Sequence, residues 1–171
     1  MNRGIVWLAI VLVAAGVVYS IVTRPKSGYI DIHDVYQKFD LKKELEKKFI
    51  SVRDERKKIT DSLELGLKLM ETKLRAMKSI SDDQAAEFQT KREFFVQKAR
   101  EFEEDNKQLS AQYDKEILDQ LNQYVRDYGA AKGYDYIYGN DSNGSLMYGD
   151  KKLEITAEVL EYINAKYKGI K

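Results

Sequence analysis

Few residues of this 171-residue chain have the types and spacing to do chemistry. His33 is the only histidine and cysteine is absent, which rules out thiol nucleophiles, thiolate metal sites and disulfides. A lone imidazole without a serine, cysteine or carboxylate constellation reads as structural, not catalytic. Asn140-Asp141-Ser142-Asn143-Gly144 carries the oxygens of a calcium loop but lacks the spacing and closing glutamate of an EF-hand, so it reads as a turn. Tyr134, Tyr136, Tyr138 and Tyr148 could form an aromatic recognition platform, though strand spacing favours the packed face of a small sheet. No nucleophile–base set, metal cluster or phosphate loop is visible, so the chain reads as a non-enzyme with no cofactor. Lys+Arg 29 against Asp+Glu 28 leaves a net charge of +1, without the basic excess of a nucleic-acid binder.

The chemistry is therefore that of surfaces, and one long element must present them. From Leu41 to Tyr128 apolar residues recur at spacings of three and four: Leu45, Phe49, Val52, Ile59, Leu63, Met70 and Met77, then Phe88, Phe95, Ala99, Phe102, Leu109 and Tyr113. The series continues less regularly through Ile117, Leu121, Tyr124 and Tyr128. That period is the seam of a coiled coil. No proline interrupts it, and Ile80-Ser81-Asp82 is the expected turn of an antiparallel hairpin. Each helix of about 40 residues would be ~60 Å long.

A turn there predicts partners whose numbers sum to 161 or 162. Ile59 would meet Phe102, Val52 Leu109, Phe49 Tyr113 and Leu63 Ala99. Gly66 would make room for the Phe95 ring, Arg56 would face Asn106, and Arg92 would lie near Met70. Residues 41–78 carry a net charge of +5 and residues 82–128 one of −5. Opposed signs favour the intramolecular partner. Arg53, Arg56, Lys57 and Lys58 are expected to face Glu103, Glu104 and Asp105.

The remaining residues flank this arm. Ile5 to Val22 is an uncharged apolar run of 18 residues, at the lower limit for a membrane span and longer than the apolar region of most cleaved leaders. Residues 1–26 are read as a signal anchor or signal peptide plus a short linker, with retention favoured over cleavage near Val13-Ala14-Ala15. Arg3 on one side and Arg24 and Lys26 on the other leave the orientation undecided. Tyr29-Ile30-Asp31-Ile32 is a short strand and Asp34 the expected N-cap of the helix entered at Val35. Gly133 is the expected stop of the second arm helix. Tyr134–Tyr138 and Ser145–Tyr148 are expected to pair as a β-hairpin, followed by a last helix capped by Thr156 and burying Val159, Leu160, Ile163 and Tyr167.

The fold class is thus α+β and mostly helical: a hairpin arm over residues 41–128 on a small α/β body formed by residues 27–40 and 129–171. Three short strands and a helix are too little to bury a stable core alone. The body is expected to assemble by oligomerisation, through Ile30, Ile32, Tyr134, Tyr136, Tyr138, Tyr148, Leu160 and Ile163.

The order of apolar leader, strand and helix entry (Tyr29-Ile-Asp-Ile-His-Asp-Val-Tyr-Gln-Lys-Phe39), long helical hairpin, β-hairpin and terminal Ile155-Thr-Ala-Glu-Val-Leu160 helix resembles the Skp/OmpH periplasmic chaperones. Phe95-Val-Gln-Lys-Ala-Arg-Glu-Phe-Glu-Glu-Asp105 is similar to that family's returning arm helix. The resemblance covers roughly Tyr29 to Tyr167. It implies a jellyfish-like homotrimer that holds unfolded outer-membrane proteins between its arms without ATP. The chain departs from the pattern in its retained leader and its near-neutral arms. Under this reading Leu67, Leu69, Leu74, Met77, Ile80, Phe94 and Val96, apolar residues left over from the seam, are the candidate client-binding residues. The expected location is the periplasm, anchored to the inner membrane through residues 5–22. The competing expectation is a membrane-anchored coiled-coil tether like the ATP synthase stalk, which needs one continuous helix and no β-hairpin.

Overall fold

The structure, a computed structural model, describes residues 24–141 and 144–169, together with 4, 7, 10 and 12–16. Residues 7, 10 and 12–16 of the expected leader are helical; the rest of the 5–22 run lies outside the described residues. Among the described residues no helix is long and apolar enough to cross a membrane. The order is β1 (Ser27–Asp31), α1 (Ile32–Lys38), α2 (Asp40–Arg75), α3 (Asp82–Lys132), β2 (Tyr136–Asn140), a 3-10 turn (Lys151–Leu153) and α4 (Thr156–Tyr167). The chain divides into two compact units, one of Met1–Val35 with Asn122–Lys171 and one of Tyr36–Leu121.

In the first unit β1 and β2 are parallel neighbours, with Tyr29 opposite Tyr138 and Ile30 opposite Gly139. Gly139 lets the strands carry Ile32 close by, because a Cβ built there would overlap the Ile32 side chain. The opposite edge of β1 is also used: Tyr29 bridges to Glu154, and the Ile155 N–H donates to the Tyr29 carbonyl at 2.9 Å. The Asp31 N–H donates to Thr156 Oγ1 at 3.0 Å, fastening the start of α4 to the end of β1. Ile30, Val35, Tyr128, Ile155, Val159 and Ile163 form the buried interior of this unit.

Three local expectations are corrected here. The β-hairpin does not form: β2 pairs with β1, and residues 145–148 are irregular. The chain must cross from the β2 edge of β1 to its other edge before Glu154, and residues 144–150 are spent on that crossing. The Tyr29 ring lies against Gly149, leaving that glycine no room for a side chain. The cap of α1 is Asp31, whose Oδ1 accepts the Asp34 N–H at 2.9 Å, so Asp34 lies inside the first turn. Thr156 is the first residue of α4 and not its cap, since its hydroxyl serves Asp31 and Glu154. Gly133 closes α3 as expected: at φ +67° it follows the last helical residue, while Tyr134 N–H reaches back to the Gly129 carbonyl.

Candidate functional site

The second unit is a helical hairpin. Along α2 the covered positions include Leu41, Leu45, Phe49, Val52, Arg56, Thr60, Leu63, Leu67, Met70 and Leu74, with Met77 following in the turn; along α3 they include Phe88, Phe95, Ala99, Phe102, Leu109, Tyr113, Ile117 and Leu121. The alternation of three and four holds across both. The turn occupies residues 76–81. Ser81 Oγ accepts the Gln84 N–H at 3.3 Å while Gln84 Oε1 accepts the Ser81 N–H at 3.1 Å. That reciprocal capping box satisfies two orphan groups and fixes where α3 begins.

Register is set at Arg56. Its guanidinium donates to Asn106 Oδ1 at 2.6 Å and to Asp105 Oδ2 at 3.2 Å, and its carbon lies 5.7 Å from the Phe102 ring centre. A polar seam residue thus finds polar partners at the expected sum of 162. Three other expectations fail. Ile59 is 48% exposed while its neighbour Thr60 is half-buried. A methyl group at Gly66 would meet nothing within 4 Å, so that glycine is not needed to seat Phe95. The wider cross-helix charge pairing also gives way: Arg53 pairs with Asp54, Lys57 with Asp61 and Lys107 with Glu103, while Arg56–Asp105 does span the two helices. Partners on the same helix, adjacent as Arg53–Asp54 or one turn away as Lys57–Asp61, are within easy reach, whereas a cross-helix partner must suit the seam geometry.

The seven candidate client-binding residues divide. Leu69 (64% exposed), Ile80, Phe94 (53%) and Val96 stand in solvent. Leu67 and Met77 are half-buried, and Leu74, at 8% exposed, is part of the seam and offers little surface. Leu65, which the sequence reading missed, is 58% exposed. The Arg56–Asn106 register puts Leu65 within one residue of the level of Val96, and Leu69 within one residue of the level of Phe94. The signal was available: Leu65-Gly66-Leu67-Lys68-Leu69 has more leucines than one seam can absorb.

The same unit contains a cavity of about 220 Å³ lined by both long helices and by Tyr36. Leu45 and Ile117 are buried there and Phe49 and Tyr113 half-buried. At its rim the Tyr36 hydroxyl donates to Asp114 Oδ1 at 2.7 Å, and Lys42 meets Glu46 at 2.7 Å. Burial, and then the Asp114 hydrogen bond, push the Tyr36 phenol up to about 12. Nothing in the period of the arm signals this contact, because Tyr36 precedes the break at Phe39.

In the other unit the expected tyrosine face separates. Tyr136 and Tyr138 stack at 6.1 Å and are exposed, whereas Tyr134 stacks on buried Tyr128 at 5.9 Å beneath the Lys26 ammonium. Tyr148 is 82% exposed. Ile30 and Ile163 are buried in the chain's own interior, and Ile32 and Leu160 are half-buried. His33 is exposed. Part of the Asn140–Gly144 turn lies outside the described residues, and among those described no group of acidic or histidine side chains could hold a metal ion.

No curated protein matches the chain in sequence. A solved structure from Caulobacter crescentus CB15, assigned as an outer membrane chaperone (OmpH-like), has the same fold: TM-score 0.72 at 15% identity, over 84% of this chain and 86% of that one. The model of the family described as outer membrane protein (OmpH-like) matches residues 26–163, from the linker before β1 into α4. With the strand, the capped hairpin and most of the closing helix inside that match, the chain belongs to the OmpH-like family.

Proposed function

We propose that the protein is an ATP-independent holdase of the periplasm that binds unfolded outer-membrane proteins along its helical hairpin. The observation that carries the reading is the set of solvent-facing apolar residues Leu65, Leu69, Ile80, Phe94 and Val96 on a hairpin whose seam is already filled. Many weak apolar contacts hold a client without fixing its conformation, and family membership supports that use. Leu67 and Met77 contribute through their exposed edges. The tether alternative loses its basis, because a stalk needs one continuous helix and this chain turns back after Arg75.

The active form is a homotrimer in this reading. A two-stranded sheet is too small to stand alone. Tyr136, Tyr138 and Tyr148, all at least half exposed on one chain, are the residues a partner copy would cover. Residues 5–22 anchor the chain in the inner membrane, which places the hairpin where newly exported chains emerge.

The test is a light-scattering mass on the full chain and on the chain from residue 27, coupled to aggregation of an unfolded outer-membrane barrel protein. The expected result is a trimer that suppresses aggregation at near-stoichiometric amounts without ATP. Phe94→Glu should weaken holding about tenfold while mass and helix content stay unchanged. A monomer that leaves aggregation untouched would overturn the reading.

A further inference from the structure

We propose that the cavity walled by Tyr36, Leu45, Phe49, Tyr113, Asp114 and Ile117 is a subsite for one aromatic side chain bearing a hydrogen-bond donor, tyrosine or tryptophan, of a bound unfolded chain. The inference rests on the holdase reading and names what one part of the hairpin selects. Size comes first. A cavity of about 150 Å³ holds benzene, so about 220 Å³ admits one substituted ring and not two. Its depth is apolar, with Leu45 and Ile117 at 5% and 3% exposure. Water gains few partners in such a place.

Charge then selects among aromatic guests. The rim carries the carboxylates of Glu46 and Asp114 against one ammonium, Lys42, which is engaged with Glu46. Asp114 accepts the Tyr36 hydroxyl on Oδ1. A carboxylate has about four lone-pair sites, so Asp114 keeps acceptor capacity for a second donor. A phenol O–H or indole N–H at the edge of the guest ring complements that rim, and a bare phenyl ring does not. Outer-membrane barrels carry aromatic girdles at both membrane interfaces, so clients of the proposed class supply such side chains.

The experiment titrates p-cresol, and separately toluene, into the full chain by saturation-transfer NMR. Client dissociation is measured in parallel. The expected result is saturable binding of p-cresol, about tenfold tighter than toluene because its hydroxyl bonds a charged acceptor. Ser110→Phe, which fills the cavity from its wall, should abolish p-cresol binding and weaken client holding several-fold. Asp114→Ala, at an exposed position, should leave p-cresol and toluene bound alike, which guards against a filled variant that fails to fold. Absent p-cresol binding, or binding unchanged in Ser110→Phe, overturns the proposal even if the wild type holds clients. A wild type that binds p-cresol but holds no client overturns the holdase reading and, with it, the client subsite.

Discussion

Gly139 shows how much a single missing methyl group decides. A Cβ there would overlap the Ile32 side chain, with Ile32 Cγ1 only 2.8 Å away. Gly139→Ala should therefore lower stability by about 1–3 kcal/mol, as overpacking does, and shift the denaturant midpoint without changing the slope. Gly66 is the opposite case. It sits exposed in the interior of α2 with open space around it. Gly66→Ala should raise stability by about 0.8–1 kcal/mol through helix propensity alone. Tyr36 adds a pH dependence. Its phenol titrates at about 12 in the folded chain against an ordinary 10.0, because burial and then Asp114 disfavour the phenolate. A pKa raised by folding contributes stability in full below the unfolded value, and that contribution is lost as pH rises through the folded one. Wild type should thus lose stability between about pH 10 and pH 12, and Tyr36→Phe should flatten that alkaline decline in denaturation curves.

The hairpin is the element most legible in the sequence, because its seam repeats and each half constrains the other. The polar layer at Arg56 sets the register, since Arg56 reaches Asn106 and Asp105. Asn106→Leu alone should cost about 1–2 kcal/mol, since it removes a charge-assisted partner from a half-buried guanidinium. The double change Arg56→Leu with Asn106→Leu should recover or exceed wild-type stability, as replacement of buried ionic groups often does. A double-mutant cycle by denaturation checks both. The parallel pairing of β1 with β2 was not legible. Strand patterns say which residues extend but not which strand they join, and Ser145–Tyr148, expected as a strand, pairs with no strand among the described residues. The caps slipped for a similar reason, since Asp31, Asp34 and Thr156 are all competent cap types and only the hydrogen bonds choose among them. The cavity was invisible because volume depends on side chains from α1, α2 and α3 together.

At the scale of the whole molecule the charge balance bears on how a client would arrive under the proposed function. Net charge is +1, and the hairpin's own opposite charges pair mostly within each helix, as Lys57–Asp61 and Lys107–Glu103 do. No single-sign field is left to steer a charged partner from a distance, and steering of that kind falls steeply with ionic strength. Under the proposed holdase function, the exposed Leu65, Leu69, Phe94 and Val96 would hold a client by removing apolar surface from water, which salt does not screen. Client dissociation constants measured by fluorescence anisotropy should therefore change by less than about threefold between roughly 50 and 500 mM sodium chloride. An affinity that collapses across that range would show that charge governs capture, and would move the search for the client surface from the leucines and phenylalanine to Arg92 and Arg100, which flank Val96 on α3.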